Sequence, residues 1–311
     1  MMAWLIAFGC LVVAIVTALS FMRDWRLALA SHFRPHLASA SLLLVLLVSV
    51  VALPGWVASL AALLALLAAA ANLFAIWRVI PHIASPATGA GGDHGLRLRI
   101  AFANVLRQNM RHVDVLGWVR RENVDVFVAC EVEGVWPEAI AELADILPYG
   151  TQSPYGDLVI LSRRPLKDVR HPVTRYGNAV TAELNTEAGK LTLVALHAAV
   201  PRNGRDSTGR DAMIETVGHI VWRREGGVVV VGDFNATPWS IPMRRLLAGG
   251  RLAYGPGAFR GTFPSWLPDW AGIPIDLVLA GGGWRVAGQR RGPRVGSDHY
   301  PVLAEVTAVK R

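Results

Sequence analysis

The sequence predicts an α/β domain of two packed β-sheets flanked by helices, placed after an N-terminal bundle of three apolar helices. Three observations predict it. Residues 1–77 hold only four charged side chains, Arg23, Asp24, Arg26 and Arg34. From Arg97 onward, short runs rich in Val, Ile and Leu recur between Gly/Pro turns. Segments with helical apolar spacing lie between those runs.

Composition limits the classes. Of 311 residues, 53% are hydrophobic and 17% charged, where a soluble domain carries about a quarter charged. Disordered, collagenous and coiled-coil chains are excluded. The net charge is +8, and all but three of the 31 basic residues are arginine. A planar guanidinium suits phosphate, although a GC-rich codon bias produces the same excess. Charge alone does not choose between nucleic acid, lipid headgroup and solubility. Cys10 and Cys130 sit in apolar runs and read as small buried hydrophobes, without a disulfide framework.

The first span, about 2–22, is an uncharged run long enough for one bilayer crossing. It lacks the basic start and small-residue cleavage site of a signal peptide. The 43 uncharged residues from Pro35 to Trp77 suit two further spans, about 37–53 and 56–77, turning at Pro54-Gly55. Leu and Ala dominate the last span, which suits close helix packing. A membrane anchor over 1–79, a flexible Gly/Pro-rich linker over 80–95 and a catalytic-sized domain over 96–311 follow. Arg23, Arg26 and Arg34 between the first two spans, with Arg78 after the third, put that domain on the cytoplasmic side of a multi-pass cell-membrane protein.

In the domain, strands are expected at Leu98–Asn104, Asp125–Glu131, Asp157–Ser162, Ala179–Asn185, Leu191–His197, Val228–Asp233, Ile275–Ala280 and Pro301–Thr307. Helices are expected at Val113–Glu122, Trp136–Leu147, Asp211–Arg224 and Ile241–Ala248. Asn104, Glu131, His197 and Asp233 each end a strand. Strand ends present side chains to a cleft, and core packing does not explain a carboxylate, amide or imidazole at several of them.

Each motif alone has a plain reading. Gly232-Asp233-Phe234-Asn235 makes a polar turn, and Asp298-His299 a solvated loop. Together, however, Asn104 in FANVLRQN, Glu131 in ACEVEG, His197 in VALHAAV, Asp233 and Asn235 in GDFN, Asp276 in PIDLVL and Asp298-His299 in SDHYPV form one ordered set. The set resembles the endonuclease/exonuclease/phosphatase superfamily, whose DNase I-like fold is a four-layer sandwich, over roughly Leu98 to Val306. The resemblance implies a metal-dependent phosphohydrolase. It implies Glu131, Asp298 and Asn104 as ligands of Mg²⁺, or of Mn²⁺ in its place, an ion that takes hard oxygens. It implies that Asp233 orients or deprotonates a water, with Asn235 fixing geometry, and that His299, set by Asp276, and His197 serve the phosphate. Two positions depart from the family: Cys130 stands where Gln is common, and Leu277 follows Asp276. Neither removes a ligand.

The substrate is a separate question. The expected lead is a phosphate borne on a lipid, because a membrane tether raises the effective concentration of such a substrate. Three spans before this domain resemble the branch linked to teicoplanin resistance, which implies undecaprenyl pyrophosphate and an extracytoplasmic site, against the arginine count. A membrane-tethered nuclease acting on nucleic acid is the enzyme alternative, and a non-catalytic lipid-phosphate sensor the other. No protein partner is implied beyond the bilayer. Arg202, Arg205 and Arg210 read as part of a Gly-rich loop, either solvated or holding phosphate. Trp266 and Trp270 in PSWLPDW read either as a packed aromatic flap or as residues dipping into a bilayer interface.

Overall fold

The computed structural model describes residues 1–22, 24–83, 96–172 and 177–309. Arg23 and residues 84–95, which hold most of the expected linker, lie outside the described residues. The chain divides into two compact units, Met1–Pro81 and His82–Arg311.

In the first unit, α1 (Met2–Leu19) leads to a short helix α2 (Trp25–Leu29), then α3 (Arg34–Val50) and α4 (Gly55–Trp77). Asp24 starts α2, its carboxylate accepting the Arg26 N–H at 2.9 Å. Three stretches, Met2–Leu19, Trp25–Val50 and Gly55–His82, are long and apolar enough to cross a membrane. Small residues set the packing: Cys10 of α1 and Val48 of α3 meet Ala61 and Ala65 of α4 in one buried cluster. One amide joins all three helices. Asn72 on α4 donates to Thr17 Oγ1 of α1 at 2.9 Å and accepts from Arg34 Nη1 of α3 at 3.1 Å. The Arg34 guanidinium lies 4.0 Å over the Phe21 ring.

The second unit runs β1 (Arg97–Asn104), α5 (His112–Arg121), β2 (Val126–Cys130), α6 (Trp136–Ala141), β3 (Tyr149–Gln152), β4 (Leu158–Ser162), β5 (Leu166–Arg170), β6 (Gly177–Thr186) and β7 (Gly189–Ala198). It continues through α7 (Gly204–Arg223), β8 (Gly227–Asp233), α8 (Ile241–Ala248), β9 (Leu252–Tyr254), β10 (Asp276–Gly281), β11 (Trp284–Arg291) and β12 (Val302–Ala308). Two six-stranded sheets form, ordered β11-β12-β1-β2-β4-β3 and β5-β6-β7-β8-β10-β9. Pairing is parallel for β1–β2 and β7–β8 and antiparallel elsewhere.

Alternation along the strands builds the layers. Ile100 and Phe102 face inward, where they join Val128, Leu193, Val229 and Val278 in the core between the sheets. Ala101 and Ala103 face the other way and leave room for Val115, Trp118 and Trp136 from α5 and α6. On the second sheet α7 covers β6 and β7. This is the expected sandwich of two packed sheets flanked by helices.

Four strands were not among those expected. Tyr149–Gln152 and Leu166–Arg170 are short and mostly exposed, Leu252–Tyr254 has three residues, and Trp284–Arg291 is rich in charge. All four lie at sheet edges, where half the backbone faces outward and no long apolar run is needed. Helix α7 begins at Gly204 rather than Asp211, because Asn203 caps it by accepting the Asp206 N–H at 3.0 Å. Arg205 and Arg210 are therefore helical rather than in a loop. Arg210 is buried and donates to the Asn235 carbonyl at 3.3 Å.

Candidate active site

Register assembles the site. Across the second sheet, Asn178 pairs with His197, His197 with Asp233, and Asp233 with Asp276. Four polar residues thus stand in a row at one end of β6, β7, β8 and β10. On the first sheet Asn104 pairs with Cys130 at the corresponding strand ends. The 297–299 loop, just before β12, closes the gap: Ser297 Oγ donates to the Asn104 carbonyl at 2.7 Å.

Gly232 makes the row feasible. A Cβ there would overlap the Leu196 carbonyl oxygen of the neighbouring strand. Glu131 and Asn235 hold left-handed backbone, with φ of 60° and 45°. Such strain in a Glu is uncommon and concentrates at functional positions.

Two His–Asp pairs flank Asp233. His299 Nδ1 lies 2.9 Å from Asp276 Oδ2, and its Nε2 is 3.8 Å from Asp233 Oδ2. Burial works to lower the His299 pKa, but the charges of Asp276 and Asp233 and the Asp276 hydrogen bond push it up to about 10. Asp233 itself is raised to about 6, by burial and then by the Asp276 charge, with both imidazoles opposing. Its Oδ1 accepts the Asn235 N–H at 2.8 Å. The second pair is His197 Nδ1 with Asp157 Oδ2, at 2.8 Å. Burial again opposes, yet the Asp157 bond and charge raise His197 to about 9. Burial works to raise Asp157, and the bond and charge of His197, with Asn178, hold it below the ordinary carboxylate value. The Nε2 of His197 is buried with no hydrogen-bond partner.

Asp157 and Asn178 were not singled out by sequence reasoning. Asp157 opens the strand expected at Asp157–Ser162, and only the antiparallel run of β4 beside β2 carries that opening residue to the end where Asn104 and Glu131 stand. Asn178 donates to Asp157 Oδ2 at 3.0 Å, and the Glu131 N–H donates to Asp157 Oδ1 at 3.2 Å.

Asn104, expected to lend an oxygen to a metal, is turned the other way. Its NH₂ donates to Glu131 Oε1 at 2.9 Å and approaches Asp233 Oδ2 at 3.3 Å, while its oxygen accepts the Leu106 N–H. An amide between two carboxylates points its donors at them. Among the described residues, Asp298 Oδ1 is buried without a partner, and Glu131 Oε2 has one long contact, 3.4 Å from the Arg107 N–H. Carboxylate oxygens left orphaned or under-satisfied in this way fit a hard divalent cation. Ligand atoms of Asp233, Asp276 and His299 also lie within 4.8 Å of one another. There the His299 cation offsets one of the two carboxylate charges, whereas no imidazole hydrogen-bonds to Glu131 or Asp298 among the described residues.

The loop ahead of β10 seats against this centre. Thr262 Oγ1 accepts the N–H groups of Ile275 and Asp276, each at 3.2 Å. The Phe263 ring lies 4.9 Å from the His299 ring. Trp266 meets the Phe263 ring edge-on at 6.2 Å, and both Trp266 and Trp270 stand largely exposed.

The model of the Endonuclease/Exonuclease/phosphatase family matches residues 101–299. Among solved structures, sphingomyelinase C from Streptomyces griseocarneus is 17% identical, covers 68% of this chain and 99% of its own, and superposes with a TM-score of 0.53. D. rerio TDP2 complexed with single-strand DNA product is 15% identical, with coverages of 68% and 98% and a TM-score of 0.57. A beta toxin variant from Staphylococcus aureus with bound magnesium ions is 15% identical, with coverages of 69% and 100% and a TM-score of 0.56. No curated protein matches the sequence.

Proposed function

Because the chain belongs to the Endonuclease/Exonuclease/phosphatase family, we propose that it is a membrane-anchored hydrolase of a phosphate ester or pyrophosphate carried on a lipid, such as undecaprenyl pyrophosphate. The observation that carries the hydrolase reading is the convergence of two Asp–His pairs on the buried carboxylate of Asp233. Support for the lipid comes from the three apolar N-terminal helices and from the exposed Trp266 and Trp270, on the loop whose Phe263 ring lies against His299.

The residues divide the work by charge. Asp233, with a pKa of about 6, is ionised at neutral pH and basic enough to orient and deprotonate an attacking water. The Asn235 N–H holds it in line. His299 and His197, both cationic at neutral pH with their Nδ1 protons on Asp276 and Asp157, direct Nε2–H at phosphate oxygens and at the leaving group. Glu131 and Asp298 would hold Mg²⁺ or Mn²⁺, with Asn104 steadying Glu131 from behind. Such an ion, when bound, neutralises charge on the phosphate oxygens.

The test uses the detergent-purified full chain with Mg²⁺, and reads phosphate release from undecaprenyl pyrophosphate and strand cleavage of single- and double-stranded DNA. Release from the lipid, reduced about 1000-fold or more in Asp233→Asn, is the expected result. Cleavage of DNA alone, lost in the variant, overturns the substrate assignment. Hydrolysis that survives Asp233→Asn overturns the site.

A further inference from the structure

The two ends of the second unit differ in what they show to solvent. At the catalytic end, Met110, Val113, Tyr155, Val200, Trp266 and Trp270 are between 40% and 82% exposed. Val113 lies in the first turn of α5; the other five come from four loops, and each loop is rooted at the site. Asn109, beside Met110, donates to the Val105 and Val295 carbonyls at 3.1 and 3.0 Å. Tyr155 sits in the turn that leads to Asp157, closed by the Gly156 N–H to the Ser153 carbonyl at 2.9 Å. Val200 follows Ala198, whose carbonyl accepts the Asn235 side-chain amide at 2.9 Å. Trp266 follows Ser265, which donates to the Ser297 carbonyl from Oγ at 2.6 Å and to the Asp298 carbonyl from N–H at 2.7 Å.

The far end carries fewer: Tyr149, Trp222 and Val309 are exposed there on separate elements, while the turns 121–125, 162–165, 186–190 and 224–227 present Arg121, Arg163, Glu187 and Glu225. Apolar groups concentrated on loops around a polar cleft mark a binding surface.

We propose that the rim of the catalytic cleft seats in the headgroup interface of a lipid bilayer, so that substrate passes from the membrane to Asp233 without crossing water. This rests on the lipid-borne substrate proposed above. Trp and Tyr favour that interface because they combine an apolar body with a polar edge. Arg202, exposed on the Val200 loop, and Arg294, exposed on the segment between β11 and β12, match lipid phosphate in charge. The same chain carries three helices apolar enough to cross a bilayer, which keeps lipid at high effective concentration around the rim. A protein seated on the rim would close the cleft that it surrounds.

The experiment uses the full chain in nanodiscs of phosphatidylcholine and phosphatidylglycerol. Trp270→Cys, Tyr155→Cys and, at the far end, Glu187→Cys are each labelled with nitrobenzoxadiazole, the native Cys10 and Cys130 being buried. Doxyl groups near the lipid headgroup should quench the labels at 270 and 155 at least about twofold, with blue-shifted emission, and leave the label at 187 unchanged. Labels at 270 and 155 that behave like the one at 187 overturn the proposal. The readout requires no turnover. Quenching in a chain that hydrolyses nothing would sink the hydrolase and keep the docking, whereas hydrolysis without quenching would do the reverse.

Discussion

Replacing Asp157 by Asn separates an electrostatic role from a packing role, since the side chain keeps its shape and loses its charge. His197 is held at about 9, against an ordinary 6.5, because the hydrogen bond and charge of Asp157 outweigh the burial that lowers it. At about 1.4 kcal/mol per pH unit, the surroundings favour the imidazolium by about 3 kcal/mol. A raised pKa contributes stability that is fully present below pH 6.5 and is lost as pH rises through about 9. Asp157, whose pKa is lowered, contributes above its ordinary value near 3.8 and loses that contribution in acid. The full effect therefore falls between about pH 4 and 6.5. Asp157→Asn should cost about 3 kcal/mol at pH 6 and about 1 kcal/mol at pH 10, where one neutral hydrogen bond is at stake. Chemical unfolding of the full chain in detergent, followed by near-ultraviolet circular dichroism, reads this through the buried Trp118 and Trp136 of the second unit. Turnover at pH 7 should fall about 100-fold, because a neutral imidazole no longer carries the proton for the leaving group. Equal destabilisation at the two pH values, or unchanged turnover, would refute the charge argument.

Glu131→Gln should raise the Mg²⁺ concentration for half-maximal activity about tenfold, since a charged oxygen ligand becomes neutral; an unchanged titration removes Glu131 from the ion. Gly232→Ala forces a Cβ into the Leu196 carbonyl and should cost about 3 kcal/mol. A thermal melt measures that cost, and activity should fall with it as Asp233 moves away from His197. Asn72→Leu removes the amide that joins Thr17 and Arg34. It should weaken the helical unit by about 1 kcal/mol, read by titration with a denaturing detergent, and a null shift would show that the helices pack without it.

The sequence alone determined what depends on local pattern. Uncharged runs matched to bilayer thickness located three apolar helices, and runs rich in Val, Ile and Leu, several of them alternating, located eight of the twelve strands among the described residues. The strand ends marked Asn104, Glu131, His197 and Asp233. Only the tertiary structure decided what depends on partners distant in the chain. Asp157 and His197 are 40 residues apart, and they meet because β4 runs antiparallel to β2, which brings the start of one strand beside the end of the other. The four edge strands exist because a neighbour offers hydrogen bonds, not because their own residues are apolar. Asn104 faces its carboxylates with NH₂ rather than oxygen because both Glu131 and Asp233 converge on it. Periodicity reports which way a side chain leaves its own backbone, whereas charge, pKa and exposure depend on what the rest of the fold sets opposite it.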